Sequence, residues 1–85
     1  MHAAPPISMQ ELDSRVTDGI HVRLLWNPQD DRVSVAVLDM KTGDSFHIGV
    51  RRGERALDVF RHPYAYAALH GVTTVSTRIS VAVAA

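Results

Sequence analysis

The 85-residue chain contains no cysteine, so disulfide bonds and thiolate metal sites are excluded. Aromatic residues make up only 6% of it, and lysine occurs once, at Lys41. No apolar run approaches the roughly 18 residues that a membrane-spanning helix needs, and no signal-peptide pattern opens the chain. These absences predict a cytoplasmic protein that folds without cross-links.

The length predicts a single domain with a small margin of stability. A chain of this size buries only about 60% of its unfolded surface, and small domains without cross-links often gain stability by forming oligomers. The formal net charge is +0, which argues against a general polyanion binder. We therefore expect a homo-oligomer.

Residues 19–50 are predicted to form three antiparallel strands joined by two turns. Apolar and other residues alternate in three runs, separated by segments rich in Asn, Pro, Asp and Gly. Successive side chains leave a strand on opposite faces, so this pattern is typical of a sheet with one apolar face. The predicted apolar face comprises Ile20, Val22, Leu24, Trp26, Val33, Val35, Val37, Phe46, Ile48 and Val50. The opposite face is mixed, with His21, Arg23, Leu25, Ser34, Ala36, Leu38, Ser45, His47 and Gly49.

A short helix is predicted before this meander. Ser8 and Glu11 have the spacing of a capping box, in which each side chain satisfies a backbone N–H group of the other residue. Leu12 and Val16 then lie one helical turn apart. The pattern indicates a first helix over 9–17, although a helix of this length is marginal without tertiary packing.

A second helical pattern runs over 54–70 and is interrupted by Pro63. Proline removes a backbone donor and disfavours helical geometry at the preceding residue. We expect a kink or two pieces, 54–61 and 63–70. The stripe predicted to pack on the sheet comprises Leu57, Phe60, Tyr64 and Ala68.

The sequence predicts one α+β domain over 8–71, with a separate segment at each end of it. Residues 1–7 are predicted to be a disordered lead-in. The tail over 72–85 alternates like a strand and is rich in β-branched residues. It could be a fourth strand of the same sheet, a strand lent to a partner subunit, or a frayed tail. The predicted fold is a short helix, a three-stranded antiparallel meander and a kinked helix packed on one sheet face.

The chain shows no pattern of catalytic or metal-binding residues. No nucleophile, base and orienting group can be named together, and no set of ligands has the spacing of a metal site. We expect solvated surface histidines, no cofactor, no metal and no enzymatic activity. The histidines are His2, His21, His47, His62 and His70.

The candidate anion-binding residues are Arg51, Arg52 and Arg55. They cluster between the predicted third strand and the start of the helix that follows it. Free N–H groups at a helix start attract anions, and guanidinium groups can add charge-assisted hydrogen bonds. The alternative is an ordinary solvated loop, since Glu54 and Asp58 add negative charge there.

A second set of candidates concerns protein interfaces. Arg61 and Tyr66 belong to the residue types that most often anchor interfaces, although a kinked core helix with a surface tyrosine explains them equally well. The mixed sheet face, with His21, Arg23 and His47, tolerates water but also suits a partner.

Two resemblances accompany this pattern. Residues 56–67, which follow a strand ending at 46–50, resemble small uncharacterised actinobacterial proteins over 19–70, and this resemblance implies no activity. The order helix, three strands, helix is similar to that of the double-stranded-RNA-binding domain. That family places a basic cluster at the start of its last helix, ahead of an alanine-rich stretch, as Arg51, Arg52 and Arg55 precede 67–69 here.

We interpret the chain as a small non-catalytic binding or regulatory module that acts through protein–protein association as a homodimer. The alternative is an RNA- or phosphate-binding module that uses the arginines at the strand–helix junction. Topology does not decide between them, because function resides in sites rather than folds.

Overall fold

A computed structural model describes residues 9–76. The strands are β1 (Gln10–Thr17), β2 (Ile20–Asn27), β3 (Arg32–Asp39), β4 (Asp44–Gly49) and β5 (Val75–Ser76), and the helices are α1 (Ala56–Arg61) and α2 (Pro63–His70). The strands form one antiparallel sheet in the order β1-β2-β3-β4-β5. The α+β class is therefore confirmed, and the predicted lead-in over 1–7 lies outside the described residues.

The meander of β2, β3 and β4 is confirmed, and its apolar face holds the core. Val22 lies opposite Val37, and Val35 lies opposite Ile48, so the alternating residues of the three strands meet on one face. The buried residues on this face are Val22, Leu24, Val35, Val37, Phe46 and Ile48. Trp26 lies at the rim, where its indole N–H donates to Asp31 Oδ1 at 2.7 Å.

The predicted helix over 9–17 is wrong, because this segment is strand β1. Asp18 and Gly19 have φ values of +53° and +78°, which suit a two-residue hairpin turn between antiparallel strands. The turn pairs β1 with β2, although the register shifts between Glu11 and Asp13. A short isolated helix gains little in water, whereas the hairpin satisfies backbone groups against β2. The Asp18-Gly19 pair was the sequence signal for this hairpin.

The predicted break at Pro63 is confirmed, since the proline opens α2 directly after α1 ends. His62 between them has φ −128° and ψ 55°, which is not helical and rotates the second helix relative to the first. The predicted stripe is therefore only partly correct. Leu57 is 53% exposed and Tyr64 is 51% exposed, whereas the buried positions are Val59, Phe60, Pro63 and Ala67.

The helices pack on the apolar face of the sheet, α1 against β2 and β3 and α2 against β4. Tyr64 contributes an edge-to-face contact with Phe46, at 5.2 Å between ring centroids. Arg15 of β1 places its guanidinium 5.3 Å from the centre of the Phe60 ring and donates to the Phe60 carbonyl at 2.8 Å. One arginine thus joins the first strand to the last turn of α1.

The tail forms a strand over two described residues. Val75 lies opposite Ser45 and Ser76 lies opposite Asp44, so the chain returns to the sheet beside β4. The strand predicted over the rest of 72–85 falls on 77–85, which lies outside the described residues.

Replacing Phe60 with alanine is expected to cost about 3–5 kcal/mol of unfolding free energy, because it empties a buried aromatic site. Leu57→Ala, in the same helix but on its exposed side, is the matched control and should cost less than about 1 kcal/mol. Urea unfolding of both variants measures the difference. Equal losses would contradict the packing of α1 described above.

Candidate functional site

The sheet has a second face, here called the outer sheet face, against which neither helix packs. The strand register brings together on it Glu11, Ser14, Val16, His21, Arg23, Leu25, Ser34, Ala36, Leu38, Ser45, His47 and Gly49. Three predicted interface residues, His21, Arg23 and His47, therefore share one surface. The hairpin adds the β1 residues, which sequence analysis missed because it placed them in a helix.

The outer sheet face combines exposed apolar groups with charges of both signs. Val16 is 59% exposed and Leu38 is 38% exposed. Arg23 Nε donates to Glu11 Oε1 at 2.8 Å, and both side chains are about half exposed. The hydrogen bond from Arg23 lowers the pKa of the Glu11 carboxyl, so this carboxylate is charged at neutral pH and accepts from the guanidinium.

The end of the outer sheet face nearest the β2–β3 turn contains an unusual polar group. Ser34 is only 6% exposed, and its Oγ has no hydrogen-bond partner in the part of the chain that the structure describes. Its cross-strand neighbours are Leu25, which is also buried, and Gly49. A Cβ atom added at Gly49 would have no atom of another residue beyond its chain neighbours within 4 Å, so there is open space immediately beside Gly49.

A groove lies at the end of the sheet where β4 leads into α1. Its walls are the β2–β3 turn, the loop before α1 and the end of α2. Arg51 and Arg52 line this groove, whereas Arg55 does not. Arg55 is instead the residue that precedes α1, and its carbonyl accepts from the Val59 N–H at 3.1 Å. The structure therefore brings two of the three predicted anion-binding residues together.

Glu54 holds the loop before α1 in place. Its Oε1 accepts from the Arg51 backbone N–H at 2.8 Å, and its Oε2 lies 2.7 Å from His70 Nε2. The hydrogen bond with His70, followed by that from Arg51, lowers the pKa of Glu54. Since His70 is the last residue of α2, its contact with Glu54 joins the loop to the end of that helix. The His70 side chain is only 3% exposed, so this contact is shielded from solvent.

This arrangement bears on the expected anion site in two ways. The Glu54 carboxylate already occupies the Arg51 N–H that an external anion would use. Helix α1 has only six residues and carries Asp58 in its first turn, which disfavours a second negative charge there. The arginines themselves remain exposed, and anion binding by Arg51, Arg52 and Arg55 stays a prediction.

The remaining interface candidates, Arg61 and Tyr66, belong to the helical layer and are separated from the outer sheet face by the sheet. Arg61 ends α1, and its carbonyl accepts from Arg15 at 3.3 Å. The Tyr66 hydroxyl donates to Asp58 Oδ2, which raises the pKa of this phenol. Its ring meets His70 edge-to-face at 6.2 Å. Tyr66 thus joins the two helices, and sequence analysis missed its contacts with Asp58 and His70.

Comparisons with known proteins add no relative: no family model, no curated protein and no solved structure matches the chain. Within residues 9–76, no three His, Cys, Asp or Glu side chains lie close enough together to hold a metal ion. Neither α1 nor α2, the helices of this range, is long and apolar enough to cross a membrane. The surfaces of the described residues are therefore the features from which a function can be inferred.

The Glu54–His70 contact predicts a pH-dependent stability. Because the pKa of folded Glu54 lies below its ordinary value of 4.5, the contact stabilises the fold above that value and is lost as the pH falls through the lowered pKa. Glu54→Gln, which mimics the protonated side chain, should lower Tm at pH 7. This Tm difference from wild type should shrink as the pH falls below 4.5. Thermal unfolding followed by circular dichroism tests it, and a difference independent of pH would contradict the assignment.

Proposed function

We propose that the protein is a non-catalytic binding module in regulation or assembly, which associates with a second copy of itself through the outer sheet face. The observation that carries this proposal is the one-sided coverage of the sheet: both described helices pack on one face. The other face presents Val16 and Leu38 to solvent beside Arg23 and Glu11. Exposed apolar groups among polar ones are typical of association surfaces.

The charges of this face suit a symmetric dimer. In a two-fold interface the same patch meets itself, so each group of one copy approaches the symmetry-related patch of the other. A surface that carries both Arg23 and Glu11 can therefore exchange these ion pairs between copies. The two ion pairs would then balance each other across the interface.

Another way for the sheet to associate is through its edge at β1, which is the first strand in the order of the described sheet. This edge carries a register shift between Glu11 and Asp13 and two carboxylates. Irregular pairing and charged side chains are the devices that discourage strands from pairing edge to edge. We therefore favour the face over the edge.

Leu38→Glu is expected to abolish self-association, because it places an unpaired charge from each copy in the apolar part of the interface. Sedimentation equilibrium at micromolar to millimolar protein concentration should show a dimer for wild type and a dissociation constant raised at least about 100-fold for the variant. Leu69→Glu, at a position that is 71% exposed on α2, is the matched control and should associate like wild type.

Two results would contradict the proposal. A wild-type mass of one chain across the whole concentration range would remove self-association as the function. Dissociation by Leu69→Glu but not by Leu38→Glu would move the interface to the helical layer. Circular dichroism of each variant separates loss of association from loss of folding.

A further inference from the structure

Two histidines lie beside Leu38, the exposed apolar residue of the outer sheet face. His21 lies directly opposite Leu38 across β2 and β3. His47 lies opposite Ala36 across β3 and β4, which makes it a diagonal neighbour of Leu38. Side chains in these two relations are about 5 Å and about 7–8 Å apart, and both histidines line the same hollow as Leu38. An interface that covers Leu38 therefore also covers the two imidazoles.

The fixed charges around these histidines include no surplus of carboxylates. The charged side chains that the register of the described strands places on the outer sheet face are Glu11, Arg23 and Arg32. The Glu11 carboxylate is already paired with Arg23 at 2.8 Å. The two turns at the other end of the sheet from Arg32 add Asp18 and Lys41, which are of opposite sign. A positive charge on either histidine would therefore be added to a face that is already rich in arginine.

His47 also borders the groove where β4 leads into α1, and the fixed charges of this groove are balanced. The charged residues that line it are Arg32, Arg51, Arg52, Asp30, Asp31 and Glu54. Each of the three carboxylates already accepts a hydrogen bond from within the fold. His70 lines the groove in contact with Glu54, and the segment 72–75 beside β4 adds no charged residue. The groove thus offers no surplus of negative charge to His47 either.

We propose that His21 and His47 make self-association sensitive to pH, so that two associated copies separate when these imidazoles gain protons. This inference rests on the proposed function and names how the same face is regulated. Histidine changes its charge between about pH 8 and pH 5. Removing a charged side chain from water without a partner of opposite sign opposes association. Because a two-fold interface contains both histidines of each copy, every added charge occurs twice.

The direction of the effect follows from proton linkage. Since charged histidines disfavour the interface, the dimer binds fewer protons than two separate copies do, and association weakens as the pH falls. Hydrogen bonds from Arg23 and from His70 hold the pKa of Glu11 and of Glu54, respectively, below the ordinary value of 4.5. Both carboxylates therefore stay charged down to about pH 5, and a change of association above that pH does not come from them.

Sedimentation equilibrium at about pH 7.5 and about pH 5 measures the effect. The wild-type dissociation constant should rise about 10- to 1,000-fold at the lower pH, because each proton that must leave on association contributes up to about tenfold per pH unit. The double variant His21→Gln/His47→Gln keeps neutral polar side chains, so its dissociation constant should change less than about threefold. His62→Gln, at an exposed position between the two helices, is the matched control and should keep the wild-type pH dependence.

The failure of this inference can be distinguished from the failure of the proposed function. A wild-type dissociation constant that is equal at both pH values, while Leu38→Glu still dissociates the dimer, overturns the role of the histidines and leaves the proposed function standing. A double variant that still dissociates in acid also overturns it, because other groups would then be responsible. A wild-type chain that stays a monomer at both pH values overturns both proposals. Circular dichroism at each pH separates dissociation from unfolding.

Discussion

The structure depends on the packing of two short helices against a single face of an antiparallel sheet. Phe60 and Val59 enter the core from α1, and Ala67 enters it from α2. Neither helix is long enough to be stable alone, so both owe their existence to this burial. Since the two helices cover the inner face, the outer sheet face keeps its mixture of apolar and charged groups, and this asymmetry is the basis of the proposed association.

Arg15 shows how the first strand contributes to the same packing. Its side chain crosses to the helical layer, stacks on Phe60 and donates to carbonyls at the end of α1. Those carbonyls lack partners within the helix, and a cation at this end also complements the helix dipole. The Glu54–His70 pair fixes the segment at the start of α1. It joins the loop before α1 to the last residue of α2.

The sequence allowed the central meander and the break at Pro63 to be predicted, because both depend on local patterns. Strand alternation is visible over a few residues, and proline acts on its nearest neighbours. Strand β1 was mistaken for a helix because Leu12 and Val16 fit both a helical interval and an irregular strand. Pairing with β2 across the Asp18-Gly19 turn selects the strand conformation for this segment. The spacing of residues within the segment does not reveal that pairing.

The candidate surfaces could be predicted less well, because they depend on contacts between distant segments. The mixed face with His21, Arg23 and His47 followed from alternation alone. The ion pair of Glu54 with His70 joins residues that are sixteen positions apart, and no motif signals it. The Glu54 carboxylate also weakens the case for an anion site at Arg51, Arg52 and Arg55, because it competes with any external anion for the Arg51 N–H. We therefore propose protein association ahead of RNA or phosphate binding.

The central claim is that the outer sheet face is the surface through which the protein associates. Amide chemical shifts recorded by nuclear magnetic resonance over a dilution series of the wild-type protein test this claim at individual residues. We expect concentration-dependent shifts that centre on β2, β3 and β4 around Arg23, Ala36 and His47, with the shifts of α1 and α2 unchanged. Shifts confined to the two helices, or spectra that do not change with concentration, would contradict it.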